Sequence, residues 1–538
     1  MSRVREFLAR YSAWAPAGFL VLAFSLSGLR SAFAWGVFAA LFLGWALLGR
    51  VSFSSRPPAA ALLFFAWLAA AAAFSSDPVL SVPVFAGQAL LGLVFLYALS
   101  GEGEKNWLAA VCALGGACAA AFLAQRALGL GPTGLIGSNP NYSAAFCAAA
   151  FSAAALYAAR GEGKRKWLAA AGALLLAAGI LASGSRGALL AAFLAAAAGL
   201  FLSGSRRALA VLLLAAAAGA ALLPASSLEG FLKFSDPRAF ARPRLWGAAL
   251  EAALREPLFG FGPGTFERAF ELFKFSYFDG VSYYGHGTLH AHGELFNLAA
   301  EAGFPAAIFF LLAAGAGLVS GGLKNLPVKI CALAVLIQAG ADMIFYSGAV
   351  GLLFWGSLGF AAAGGGEAPG FKMKLPAALL LLCLAAWPVF GHRPGKNFEQ
   401  ETYAEAAGGQ NTALSLAVLR RAELEKPKDP FAPEAEGRLL AAAGNFAGAA
   451  AKFRAALALE PFYGPARISL ARALSAAGLY GECAAELDFL YGMPAVEARN
   501  EYQRALLAYD RAGLGKLKKE LCVKKRTGGA TAPARKTR

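Results

Sequence analysis

Long apolar runs separated by short polar turns fill most of residues 1–395. Thirteen of them read as candidate membrane helices: 12–29, 31–49, 57–74, 79–99, 107–125, 141–159, 167–183, 187–202, 208–224, 292–319, 327–346, 348–363 and 375–391. A bilayer core takes about 20 apolar residues per helix, so a series of such runs predicts a polytopic bundle. Two regions break the pattern. Residues 225–291 predict one large extramembrane loop. Residues 396–515 are charged, Ala-rich and helical in period, and 516–538 form a basic tail. The expected fold class is all-α: a membrane domain of about 12–13 spans over 1–395, then a second helical domain.

Composition sharpens this picture. The 538 residues are 58% hydrophobic and only 15% charged, against about 25% charged in soluble chains. The net charge of +17 is spread over turns and the tail, which in a membrane protein reads as topology. Membrane lipids are therefore expected partners and nucleic acid is not. With the N-terminus inside, the inner turns hold Arg50 and Arg56, Lys105, Arg160 and Lys164 to Lys166, Arg206 and Arg207, Lys324 and Lys329, and Lys372 and Lys374. That orientation places the 225–291 loop outside, together with the domain beyond an odd number of spans. The expected location is the inner (cytoplasmic) membrane, multi-pass, with the loop and C-terminal domain periplasmic. MSRVREFLAR precedes the first run without a cleavage site, so the first span is expected to be retained. Arg30, Arg126 and Arg186 fall on the outer side against the bias. Arg186, in a tight turn between Ser183 and Gly187, is the one expected to face a cavity and bind an anionic group.

In the C-terminal domain Gly437, Gly444, Phe446, Ala449, Phe453, Ala456 and Pro461 fall where the 34-residue tetratricopeptide pattern places small and bulky residues. Pro427 lies 34 residues before Pro461, and Gly478 and Tyr480 lie 34 after Gly444 and Phe446. About three helix-turn-helix repeats fit over 396–515, enough for a stacked α-solenoid that could take a protein partner.

Candidate chemistry gathers where the loop meets the next apolar run. Three of the four histidines, His286, His290 and His292, stand within seven residues there. His292 sits near a helix N-terminus, whose partial positive charge disfavours imidazolium, so it is expected to be neutral and able to accept a proton. No cysteine or carboxylate completes a metal spacing, and no metal or cofactor is expected. Upstream, Arg242 and Arg244 flank Pro243 at the start of a helix predicted to run to about Arg255. Gly260, Gly262, Pro263 and Gly264 then form a turn with little bulk, beside which the arginines could grip a diphosphate. Glu294, Asn297 and Glu301 share one helix face, expected to look into the bundle, with Glu301 in a structural, hydrogen-bonding role. Gly303 and Pro305 predict a kink. Of seven cysteines, five lie in apolar runs, and Cys483 and Cys522 lie near the end, with no disulfide framework expected.

His292-Gly-Glu-Leu295 followed by Glu301-Ala-Gly303 resembles the HN-x-x-L…E-x-G signature of the O-antigen ligase and polymerase superfamily. Asn139-Pro-Asn141, Ser185-Arg186-Gly187, Arg244-Leu-Trp246 and the run Pro257 to Gly264 resemble further family segments, in order. Gly293 departs from the pattern, which usually has Asn there. The resemblance implies a metal-independent glycosyltransferase of the membrane-embedded C type. It would pass a glycan from an undecaprenyl-diphosphate donor to an acceptor hydroxyl on lipid A core, a polymer or a protein. By resemblance Arg186 and Arg244 would hold the diphosphate and His292 would orient or deprotonate the acceptor. Arg242, His290, His286, Asn141 and Glu294 would line the substrate, with Glu301, Gly303 and Gly264 structural. One base without a paired nucleophilic carboxylate predicts inversion. An O-antigen polymerase and an O-linked protein oligosaccharyltransferase share these signatures. A non-catalytic scaffold working through the repeats, or a transporter of lipid-linked sugar, are the alternatives of another class. Loss of residues 396–538 would disable the scaffold, and a transporter would tolerate loss of His292.

Overall fold

The computed structural model describes residues 11–48, 57–222, 241–363 and 412–523, with short pieces at 53–54, 229 and 370–371. The predicted span 375–391, most of the loop before 241, residues 396–411 and the tail beyond 523 lie outside the described residues. Among those described, helices dominate, and one two-residue antiparallel pairing joins Phe53–Ser54 to Gly370–Phe371.

Helices occupy the first twelve predicted runs. They are α1 (Ala15–Ser25), α2 (Ala32–Leu48), α3 (Ala59–Ala73), α4 (Pro78–Ala98), α5 (Glu104–Ala127), α6 (Pro140–Arg160), α7 (Gly163–Ser183), α8 (Arg186–Leu202) and α9 (Arg206–Leu222), then, beyond the loop helices α10 (Ala241–Arg255) and α11 (Phe266–Phe273), α12 (Glu294–Val319), α13 (Leu326–Ala339) and α14 (Gly348–Ala362). Five of these, α4, α5, α6, α7 and α12, are long and apolar enough to cross a membrane. Six shorter ones, α1, α2, α3, α8, α13 and α14, are apolar.

Local chemistry sets the helix starts that matter below. Asn139 caps α6 by accepting from Asn141 N–H at 3.0 Å, and Pro140 fills the first turn, where a missing N–H costs nothing. Ser185 caps α8 by accepting from Ala188 N–H at 3.3 Å, which leaves Arg186 as the first helical residue. The run predicted as one span over 327–346 is divided. Helix α13 stops at Ala339, Gly340 and a buried Asp342 follow, and a short 3-10 turn covers Ile344–Tyr346. The carboxyl finds polar partners in that turn, which a continued helix among apolar neighbours would deny it. Helix α14 is buried from Gly348 to Ala361. Its small residues admit bulky neighbours, with Trp35 against Gly348 and Trp107 against Gly356, and Trp107 Nε1 donates to Ser357 Oγ at 3.0 Å.

The chain divides into two compact units, one drawn from Met1–Ala269 and Thr288–His392, the other from Phe270–Gly287 and Arg393–Arg538. The second unit thus takes in a piece of the large loop. Its described helices are α15 (Thr412–Glu425), α16 (Phe431–Ala442), α17 (Phe446–Leu459), α18 (Gly464–Ala476), α19 (Tyr480–Gly492), α20 (Glu501–Leu506) and α21 (Leu514–Leu521). From α15 to α19 each helix packs on the next, and α21 packs on α19. Phe453 fills the space beside Gly437, where an added Cβ would lie 2.6 Å from its ring. Cys483 on α19 and Cys522 after α21 form a disulfide with Cα atoms 5.5 Å apart. This corrects the expectation of no disulfide: 39 residues separate the two cysteines, and only the packing of α21 on α19 brings them together.

Candidate functional site

In the first unit the candidate residues converge on the turn after α13. Asp342 is 2% exposed. Its carboxylate lies 3.8 Å from the Arg242 guanidinium, accepts a hydrogen bond from the Asn141 side chain and feels the charge of Arg186. Arg242 also donates to the carbonyl of Ala341 at 2.8 Å. Gln338, one turn back on α13, donates to the Asn141 carbonyl at 3.0 Å. Three helix starts thus feed one polar centre: Asn141 from α6, Arg186 from α8 and Arg242 from α10. Arg186 and Arg242 put positive charge at the positive ends of their helices, the reverse of what helix stability favours. Arg244, two residues on from Arg242, is exposed.

His292 precedes α12 and adopts a left-handed backbone, φ +54°. Its carbonyl accepts from Trp246 Nε1 at 3.3 Å, and Trp246 stacks on Phe296 with centroids 5.2 Å apart. Burial and then the nearby Arg242 charge hold the His292 imidazole below its ordinary 6.5. Burial and the Arg242 charge thus favour the neutral imidazole near pH 7, in the same direction as the helix end that the sequence pointed to. His290 rests on Tyr346 with ring centroids 4.5 Å apart, and burial followed by the His292 charge holds it at about 4. Gly293 belongs with Trp246: a Cβ there would come within 2.9 Å of the indole nitrogen.

The polar face of α12 holds backbone. Glu294 accepts from Phe345 N–H at 2.7 Å, which ties α12 to the turn carrying Asp342. Asn297 accepts from Ala291 N–H at 3.1 Å, beside His292. Glu301 accepts from Gly264 N–H at 2.9 Å and Phe266 N–H at 3.1 Å, and so fastens the glycine-rich turn. At Gly303 the backbone takes φ +79° and α12 kinks. A Cβ there would fall 2.0 Å from the Leu258 carbonyl oxygen.

His286 belongs to the second unit, where its ring lies among Phe270, Phe275 and Tyr277. Burial, then the Lys274 charge, holds it at about 4. Sequence reasoning missed Asp342, whose signal was a lone carboxylate within a predicted span. It also passed over the role of Arg30, flagged only as a cation on the outer side. The Arg30 guanidinium stands 5.3 Å from the Tyr142 ring centre and 5.7 Å from that of Tyr346, the ring under His290. Among the described residues no group of three His, Cys, Asp or Glu side chains is arranged to hold a metal.

Residues 171–311 match the family described as O-Antigen ligase. The matched stretch includes Arg186, Arg242, Arg244, His290, His292, Glu301 and Gly303; Asn141 and Asp342 lie outside it and reach the same centre through the fold. No curated protein matches the chain. The likeness to O-antigen ligases thus lies in residues 171–311, and five described helices are long and apolar enough to cross a membrane.

Proposed function

We propose that the protein transfers a glycan from a polyprenyl-diphosphate donor, undecaprenyl diphosphate in a bacterial membrane, to an acceptor hydroxyl at the outer face of the cytoplasmic membrane. One observation carries the reading. A neutral histidine, His292, and two cations, Arg242 and Arg186, occur together in the stretch that matches the ligase family, beside the buried Asp342. The acceptor oxygen forms a bond to the anomeric carbon while its proton passes to a ring nitrogen of His292. The bond from that carbon to the phosphate oxygen breaks, and its electron pair stays on the diphosphate. Arg186 and Arg242 offset the charge of this leaving group, with no metal step required. Attack opposite the departing phosphate inverts the anomeric centre.

The Cys483–Cys522 bond favours an oxidising compartment for the C-terminal unit, in keeping with the outside orientation derived from loop charge. We read the helices of that unit as tetratricopeptide pairs that receive the acceptor or a protein of the export machinery. Lipid A core, a surface polymer or a protein are the acceptor classes for this chemistry.

The test uses purified protein, an undecaprenyl-diphosphate glycan, envelope acceptor fractions and a chelator. Transfer by the wild type that falls at least a hundredfold in His292→Ala and in Arg242→Ala supports the assignment. Arg244→Ala, which removes an exposed cation, separates its part from that of Arg242. Transfer that survives His292→Ala removes the proposed base, and absence of transfer to every fraction rejects the ligase reading.

A further inference from the structure

The second unit contains a grip on its own chain that the transfer reading does not require. Glu460, which follows α17, is 0% exposed. Its carboxylate accepts from Tyr283 N–H at 2.8 and 3.0 Å, from Tyr284 N–H at 2.6 Å and from the Tyr502 hydroxyl at 3.0 Å. Burying a carboxylate is costly unless such donors meet it, and here the large loop supplies them as backbone. A second contact lies alongside: Gln503, also buried, donates to Asp279 Oδ2 at 2.9 Å. Asp279 in turn accepts from Val281 N–H at 2.9 Å and Ser282 N–H at 2.7 Å. The segment is folded back on itself, with Tyr277 N–H donating to the Tyr283 carbonyl at 2.8 Å. The Phe278 and Tyr283 rings flank Phe462 at 5.8 and 6.5 Å between centroids, and Gly285 lies so close to the Tyr502 ring that a Cβ would come within 2.8 Å.

The gripped segment ends at Gly287, and the same chain reaches His290 three residues later and His292 five residues later. No helix lies between Phe273 and Glu294 to order that stretch. The glycine-rich turn at its N-terminal side is fastened by Glu301, and the gripped half is fastened by Glu460. We infer that Glu460 is a positioning residue for the transfer centre: the C-terminal unit holds the loop segment that delivers His290 and His292, and is a working part of the enzyme as well as a place for partners. The kinetic part of this inference rests on the transfer reading above; the ordering part does not.

The experiment is hydrogen exchange by mass spectrometry on the full chain in nanodiscs, with transfer kinetics on the same samples. The variants are Glu460→Ala, Glu460→Gln and Tyr502→Phe, with Glu482→Gln, an exposed partner of Arg454, as the control. Glu460→Ala is expected to speed exchange at least tenfold from Asp279 through Gly293 and to lower kcat at least tenfold. KM for the donor should stay within about twofold, because Arg186 and Arg242 are untouched. Glu460→Gln should restore part of both effects, since an amide oxygen still accepts one N–H, and Tyr502→Phe should give a smaller step in the same direction. Wild-type exchange at 288–293 in Glu460→Ala overturns the inference, as does faster exchange there with kcat unchanged. Should Glu460→Ala also deprotect α17 to α19, Tyr502→Phe decides between the same two results. A wild type that transfers to no acceptor rejects the transfer reading, and exchange at 288–293 still decides whether Glu460 orders the loop.

Discussion

Replacing Cys483 and Cys522 with serine removes a cross-link that spans 39 residues of the C-terminal unit. The loss of loop-closure constraint in the unfolded chain, taken for a closed loop of that length, corresponds to about 4 kcal/mol at 25 °C. The folded side of the balance should change little, because Leu487, Leu490 and Leu514 pack in the same buried cluster as Cys483 whether or not the sulfurs are joined. Native-state proteolysis of the full chain in nanodiscs reads the difference, since cleavage within α19 to α21 follows the population of the opened form. At about 1.4 kcal/mol per tenfold, cleavage should rise several hundredfold in the double variant, on the order of the same rise in wild type with reductant. A rise below about tenfold refutes the entropic argument. Mass analysis of protein extracted from cells under a thiol-blocking reagent tests the sidedness that goes with it. The bond found intact agrees with an outer, oxidising location; two blocked thiols would place the unit on the reducing side and defeat the proposed orientation.

Other outcomes follow from single contacts. On the proposed transfer reading, with neutral His292 as the base, the rate should be flat near and above pH 7 and fall only at a pH under the ordinary imidazole value of 6.5; an acid limb unchanged in His292→Gln would refute this. His290 binds its proton less well folded than unfolded, so its contribution to stability is complete above about 6.5 and is lost as pH falls towards about 4. The loss amounts to about 3 kcal/mol, and because phenylalanine does not titrate, the melting temperatures of wild type and His290→Phe should lie closest at neutral pH and separate in acid as the wild type falls. Gly303→Ala should lower the melting temperature by several degrees, since its φ is +79° and the Leu258 carbonyl leaves a Cβ no room; Gly315→Ala, with nothing within 4 Å, should not. Gly293→Asn should slow transfer severalfold by pushing Trp246 off Phe296; an unchanged rate with unchanged tryptophan fluorescence would show that the larger side chain is admitted without displacing the ring.

Much of the architecture was legible in the linear order of residues. Apolar runs, polar turns, Asn139 and Ser185 at helix starts and glycine with proline at Gly303 are local signals, and local sterics and capping read them the same way in any fold. The face Glu294, Asn297, Glu301 was also visible, because helical spacing alone puts those residues on one side. What they bind was not visible: their partners are N–H groups of Phe345, Ala291, Gly264 and Phe266, and of these only Ala291 is near in sequence.

Long-range packing decided the rest. Asp342 passed unnoticed within a predicted span, and the end of α13 at Ala339 is what turns it towards Arg242 and Asn141. The three histidines read as one cluster because they are close in sequence, yet Glu460, 174 residues after His286, helps hold the segment of His286 in the second unit while His290 and His292 stay with the first. Cys483 and Cys522 carry no spacing signal and meet only because α21 packs on α19. Hydrophobic periodicity and capping act over a few residues and are written in the sequence. Ion pairs, a buried carboxylate seeking N–H donors and a disulfide depend on which distant elements are brought together, and only the folded chain supplies those neighbours.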